Sequence, residues 1–187
     1  MVQSANRNSE SVFGGMYHAQ HRESFVMNTK DALKQTYEFS QMVMNGYLGD
    51  FEDADLLHRP GEGCNHLAWQ LGHLISSECN LLNMVAPGAA MELPEGFADQ
   101  HGKENTTSDE GFLSKSEYME LFGKAKAATF AALDGMSDED LDKPGPEEMK
   151  GFCPTVGSMF CLIGTHVMMH AGQVVPIRRK LGKPIVM

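Results

Sequence analysis

Basic residues are scarce in this 187-residue chain: Lys and Arg total 15 against 25 Asp and Glu, a formal net charge of −10. A nucleic-acid-binding surface needs clustered cations that neutralise phosphates and release counterions, so that class of function is excluded as the default. Uninterrupted apolar runs are missing too. The longest, around Val156 to Val175, is broken by Thr165, His166, His170 and Gln173 and by three glycines. It suits a bilayer core poorly, so no transmembrane helix and no membrane partner are expected. The opening residues, MVQSANRNSESVFGGMYHAQHRES, lack the basic start and apolar stretch of a secretory signal, so the expected address is cytoplasmic. Cysteine is sparse, and Cys64, Cys79, Cys153 and Cys161 match neither a CxxC redox motif nor a zinc knuckle. In a reducing compartment they read as buried thiols. Alternating β-branched runs are absent, as are a Gly-x-Ser-x-Gly elbow, a P-loop and a complete Gly-x-Gly-x-x-Gly, which removes several enzyme classes.

Helical periodicity is what the chain does have. Residues 1–24 are polar and without period and read as an arm or tail, leaving 25–187 as one domain. Val26, Leu33, Tyr37, Met44 and Leu48 recur as the stripe of a first amphipathic helix ending near Gly46 to Gly49. A second runs from Asn65, its expected N-cap, to Val85, with Leu67, Leu71, Leu74, Ile75 and Leu82 on its stripe. The stretch 86–111 is long for a bundle loop and reads as a crossover, which lets helices two and three run parallel. Ser114 with Glu117 caps a third helix carrying Tyr118, Phe122, Ala125 and Thr129, and Ser137 with Asp140 caps a short turn before Pro144. The fourth helix spans Thr155 to Leu181, with Arg178, Arg179 and Lys180 in its last turn and Gly182 just beyond. These elements describe an all-α four-helix bundle with a long crossover between helices two and three.

The chemistry lies in the histidines. His166 and His170 are four apart on helix four, so both project from one face within reach of a single ion. That face also holds Met159, Ile163, Gln173 and Ile177 and is apolar, which points the imidazoles into the bundle. A pair of core histidines bonded to each other is the bland reading, because one helix supplies only two ligands and a site needs three or four. Helix two offers His73 and His66, but its periodicity does not settle which way they face. Trp69 on the same strip favours the inside. Known metal motifs are missing: no Glu has His three residues later, as a di-iron carboxylate bundle requires, and no His-Glu-x-x-His occurs.

The segment from Arg59 to Leu74, with Trp69 ahead of Gly72-His73, resembles the helix-two signature of the DinB/YfiT-like superfamily. His166-x-x-x-His170 with Gly172-Gln173 just after, followed by Arg178 to Gly182, resembles its helix-four signature. The resemblance spans about residues 26–184. It implies a four-helix bundle holding a divalent metal, commonly zinc or nickel, on three histidines. Carried over residue by residue, these are His73, His166 and His170. Families of this type include thiol-dependent S-transferases and a maleylpyruvate isomerase using low-molecular-weight thiols. Despite the family's name the resemblance is not to a DNA polymerase.

The expected function is a metal-dependent enzyme that activates a low-molecular-weight thiol or a water toward a small-molecule substrate. Gln173 and His66 are expected as supporting groups around the metal. The alternative is a non-catalytic module in which the ion only holds helices together. A homodimer is expected because apolar residues circle nearly all of helix four.

Overall fold

Each long helix begins where a side chain supplies the acceptor that the first backbone N–H groups lack. Asn28 with Asp31, Ser114 with Glu117 and Thr155 with Ser158 form reciprocal capping boxes at three of them. The computed structural model describes residues 26–185; the arm expected over 1–24 lies outside the described residues. Six α-helices follow in order: α1 (Thr29–Leu48), α2 (Leu67–Val85), α3 (Phe97–Gln100), α4 (Lys115–Asp134), α5 (Asp138–Leu141) and α6 (Val156–Lys180). Short 3-10 turns intervene, and no strand occurs among the described residues. The four helices read from periodicity are α1, α2, α4 and α6, and Ser137 caps α5. Two starts differ from expectation. Val26 lies outside α1 and is exposed, because Asn28 takes the cap. Asn65 does not cap α2; His66 does, its ring accepting from Trp69 N.

Pairings across the bundle fix its topology. Lys30, at the start of α1, reaches Met136 O beyond the end of α4, while Lys115 at the start of α4 reaches Phe51 O after α1, so these two run antiparallel. Along α1 and α6, Tyr37 faces Gly164 and Tyr47 O accepts from Arg178, so they run parallel. Gln70 bonds His170, whereas Ser77 and Leu81 line one cleft with Leu162 and Thr165, so α2 runs against α6. It follows that α2 and α4 are parallel, as the 86–111 crossover allows. Gly164 sets the α1–α6 approach, since a Cβ there would lie 3.2 Å from the Tyr37 backbone.

The core joins Tyr37, Met44, Leu71, Ile75, Leu82, Tyr118, Phe122, Ile163, Val174 and Ile177. By length and composition alone α6 could cross a bilayer. One face of it is turned onto its neighbours, where Phe160, Ile163, Val167, Ala171 and Val174 are all buried. Arg178, read from the sequence only as a last-turn charge, is fully buried. Its guanidinium donates to both Asp50 oxygens at 2.6 and 3.1 Å, to Tyr47 O and to Pro184 O. All three guanidinium nitrogens are thereby engaged, which is what makes a buried charge tolerable.

Candidate metal centre

His73 on α2 and His166 and His170 on α6 come together because α2 runs antiparallel to α6 and because one helical turn separates the α6 pair. One ligand nitrogen from each lies within 4.8 Å of the other two. Ring centroids are 5.4 Å apart for His73 with either partner and 4.9 Å for His166 with His170. Together they would offer a divalent ion three imidazole nitrogens from two helices.

Hydrogen-bond accounting says which nitrogens are available. Gln70 Nε2 donates to Asn65 O at 3.1 Å, which orients the amide so that its oxygen faces His170 Nδ1, also at 3.1 Å. An amide oxygen only accepts, so Nδ1 carries the proton and Nε2 keeps its lone pair. The His166 ring nitrogens meet no hydrogen-bonding group among the described residues, and His73 Nε2 has only Ser77 Oγ, at 3.5 Å. Burial pushes all three imidazoles below their usual pKa, His166 to about 4 and His170 to about 3; the neighbouring histidines add to the effect at His166 and His170, and the Lys103 charge adds to it at His73. Three neutral imidazoles with converging lone pairs are the donor set that a borderline divalent cation takes.

His73 is held from the crossover side. Trp69 stacks on it at 4.8 Å between centroids and 8° between planes, and the indole Nε1 donates to Gly102 O at 3.1 Å. Beside them His101 is wedged over Gly72, where any Cβ would overlap its ring. This accounts for the glycine before His73. The His101 Nδ1 donates to Phe97 O and its Nε2 accepts from Tyr118 Oη, both at 2.7 Å. The crossover is therefore built onto α2, with Arg59 donating to Thr106 O and Ser108 O as a further clamp.

Sequence reasoning missed Gln70, Trp69 as a stacking partner and His101, and it misplaced two others. Gln173, expected to support the metal, is exposed, since it lies on the α6 face turned away from the core. The glutamine that meets the histidine cluster is Gln70 on α2. His66 is neither a supporting group nor a surface residue. It is fully buried, caps α2 through Nδ1 and donates from Nε2 to Ser108 O at 3.0 Å. Of the four cysteines, expected buried, only Cys79 and Cys153 are; Cys64 and Cys161 are exposed. A Gln one turn before a Gly-His pair was the available signal for Gln70; nothing local marks His101.

Between α2 and α6 a cleft of about 500 Å³ opens onto the site, with His166 and Ser77 in its wall beside Leu81, Leu162, Phe152 and Met169. One imidazole of the triad thus faces accessible space.

The model of the DinB superfamily matches residues 36–174, well over half of the chain. No curated protein matches the sequence. Among solved structures, the chain is similar to a conserved protein from Enterococcus faecalis, with a TM-score of 0.65 and 17% identity over 84% of this chain and 100% of that one. It is also similar to YfiT from Bacillus subtilis, described as a probable metal-dependent hydrolase with an unusual four-helix bundle topology. There the TM-score is 0.59 and the identity 18%, over 87% of this chain and 93% of that one. At these identities the likeness shows the fold.

Proposed function

The chain belongs to the DinB superfamily, and on that footing we propose that it is a divalent-metal-dependent enzyme whose ion is held by His73, His166 and His170. The observation that carries the reading is the convergence of three neutral imidazoles at the inner end of an accessible cleft. Three protein ligands leave a coordination position for chemistry, whereas a purely structural site is normally closed by four. When bound, such an ion lowers the pKa of a water or thiol and polarises a carbonyl. The chain's own groups do the rest. Gln70 fixes the His170 tautomer, Trp69 fixes the plane of His73, and the half-buried wall of Leu81 and Leu162 keeps bulk water from the reacting end of a small-molecule substrate.

The nucleophile is a water or a low-molecular-weight thiol, so the activity is that of a hydrolase or an S-transferase. Hydrolysis has in its favour the likeness to YfiT, a probable metal-dependent hydrolase. Zinc or nickel suits three imidazoles by ligand softness, and a cytoplasmic homodimer belongs to the same reading. Elemental analysis of protein purified without chelator or nickel resin, followed by a screen of esters, amides and electrophiles with and without added thiol, tests it. One ion per chain with metal-dependent turnover is expected. A metal whose removal lowers only the melting temperature, with no turnover across the panel, would return the site to a structural role.

A further inference from the structure

The metal centre explains His166 but not the shape or chemistry of the cleft that opens onto it. Two of the exposed large apolar side chains, Phe152 at 72% and Met169 at 57%, stand in its wall, one from the loop before α6 and one from α6 itself. Leu81 and Leu162 continue that wall half-buried. Phe152 stands on a fastened loop: its N–H donates to Met149 O at 2.8 Å, the adjacent Cys153 is buried, and Pro144 bridges Thr155. The aromatic ring is therefore presented in place.

Charge is what the cleft lacks. None of its lining residues carries a formal charge with His166 neutral, in a chain where 21% of residues are charged. The cavities on other faces have carboxylates in their walls, Asp53 and Asp109 in one and Glu95 in another. The polar groups at the cleft are hydrogen-bonding only. Asn80 is exposed and bonded to nothing among the described residues, so its amide can both donate and accept. A carboxylate or phosphate on the body of a substrate would be desolvated against Leu81, Leu162 and Phe152 with no cation to pair it, a placement that protein interiors penalise heavily.

The geometry points to a substrate whose body is uncharged and largely apolar, a neutral amide or ester with an alkyl or aryl group, seated on Phe152, Met169, Leu81 and Leu162 with its reacting end toward His166. The inference rests on the metal-centre reading only for which end reacts; the selectivity against distal charge belongs to the cleft.

The test therefore uses the full chain stripped of metal, so that no carboxylate can be captured by an ion. Two probes of near-equal size, N-butylacetamide and 4-acetamidobutanoate, are compared by NMR titration, following the Met169 and Leu162 methyl signals. The neutral probe should bind at least about tenfold more tightly, a gap of about 1.4 kcal/mol, and should shift those methyls. In Phe152→Lys, an exposed position where the fold is kept, the preference should fall by about tenfold as an ammonium replaces the aromatic wall. Equal or tighter binding of the carboxylate by the unmodified chain overturns the inference, as does binding of neither probe. Because the measurement is made without metal, a failure of the three-histidine reading shows separately, as absence of a bound ion in the unstripped protein.

Discussion

Five histidines sit within one corner of the bundle, and they divide into two kinds. His66 and His101 have both ring nitrogens engaged by the protein: Trp69 N and Ser108 O for one, Phe97 O and Tyr118 Oη for the other. His73, His166 and His170 have between them one strong protein partner, Gln70, and it takes a proton-bearing nitrogen. All five are pushed toward the neutral form by burial, so depressed basicity does not tell them apart. What separates them is where the lone pairs go. In the first kind they end on backbone or hydroxyl donors; in the second, one ligand nitrogen of each ring lies within 4.8 Å of the other two. A buried histidine is thus assigned by completing its hydrogen-bond account.

The sharpest break of this division is His170→Ala or His166→Ala. With two ligands left, metal binding should weaken by at least about a thousandfold, a loss of roughly 4 kcal/mol or more. Calorimetric titration with zinc would show it as a fall from one equivalent toward none. His101→Ala should do the opposite, leaving one equivalent bound while costing about 2–4 kcal/mol of stability through the cavity and the Tyr118 O–H left without its acceptor, read by urea denaturation. If His101→Ala lost the metal and kept its stability, the two kinds of histidine would have been exchanged.

A second closed polar cluster sharpens the comparison. Glu78 accepts from Tyr37 Oη at 2.7 Å and Thr129 Oγ1 at 2.6 Å between α1, α2 and α4, with Lys126 near and Cys79 alongside. Burial pushes its pKa up to about 7. The folded state then binds the proton more tightly than the unfolded chain. Its contribution to stability should be present in full below pH about 4.5, be lost as pH rises toward about 7, and amount to about 3 kcal/mol in all, against the opposite trend of the buried histidines, which favour the fold more as pH rises toward about 6.5. In Glu78→Gln that contribution should vanish, so that stability from melting curves taken between pH 5 and 8 rises more steeply with pH than in the unmodified chain. An unchanged slope would place the titrating group elsewhere.

A smaller effect is expected at Gln70. Replacing it by Ala leaves three ligands but frees the His170 tautomer, which should weaken metal affinity by about 10–100-fold with stoichiometry retained. The corresponding change at Gln173, which is exposed, should leave affinity unaltered.

Much of the bundle was legible because its helices carry caps and stripes that are local in sequence. Ser114 with Glu117 and the Tyr118/Phe122/Ala125/Thr129 stripe place α4 from local sequence alone, between Ser114 and Thr129. The i, i+4 spacing of His166 and His170 was legible for the same reason, and His73 came through the Gly-His resemblance. What escaped was decided by contacts between distant segments. Gln70 and Gln173 look alike along the chain, and only the packing of α2 on α6 makes the first a partner of His170, 100 residues away. His101 lies in a stretch with no period, and its position over Gly72 depends on how the crossover folds back onto α2. Arg178 reads as a surface charge until Asp50 is brought to it across the α1–α6 contact.

The central claim is that His73, His166 and His170, and no other side chains, hold one ion with a position left open. X-ray absorption at the zinc edge of protein loaded with one equivalent tests it directly. The account requires three imidazole nitrogens at about 2.0–2.1 Å with one further oxygen from solvent, and no sulfur. Four imidazoles, a sulfur ligand from any cysteine, or an ion coordinated by fewer than three histidines would contradict it.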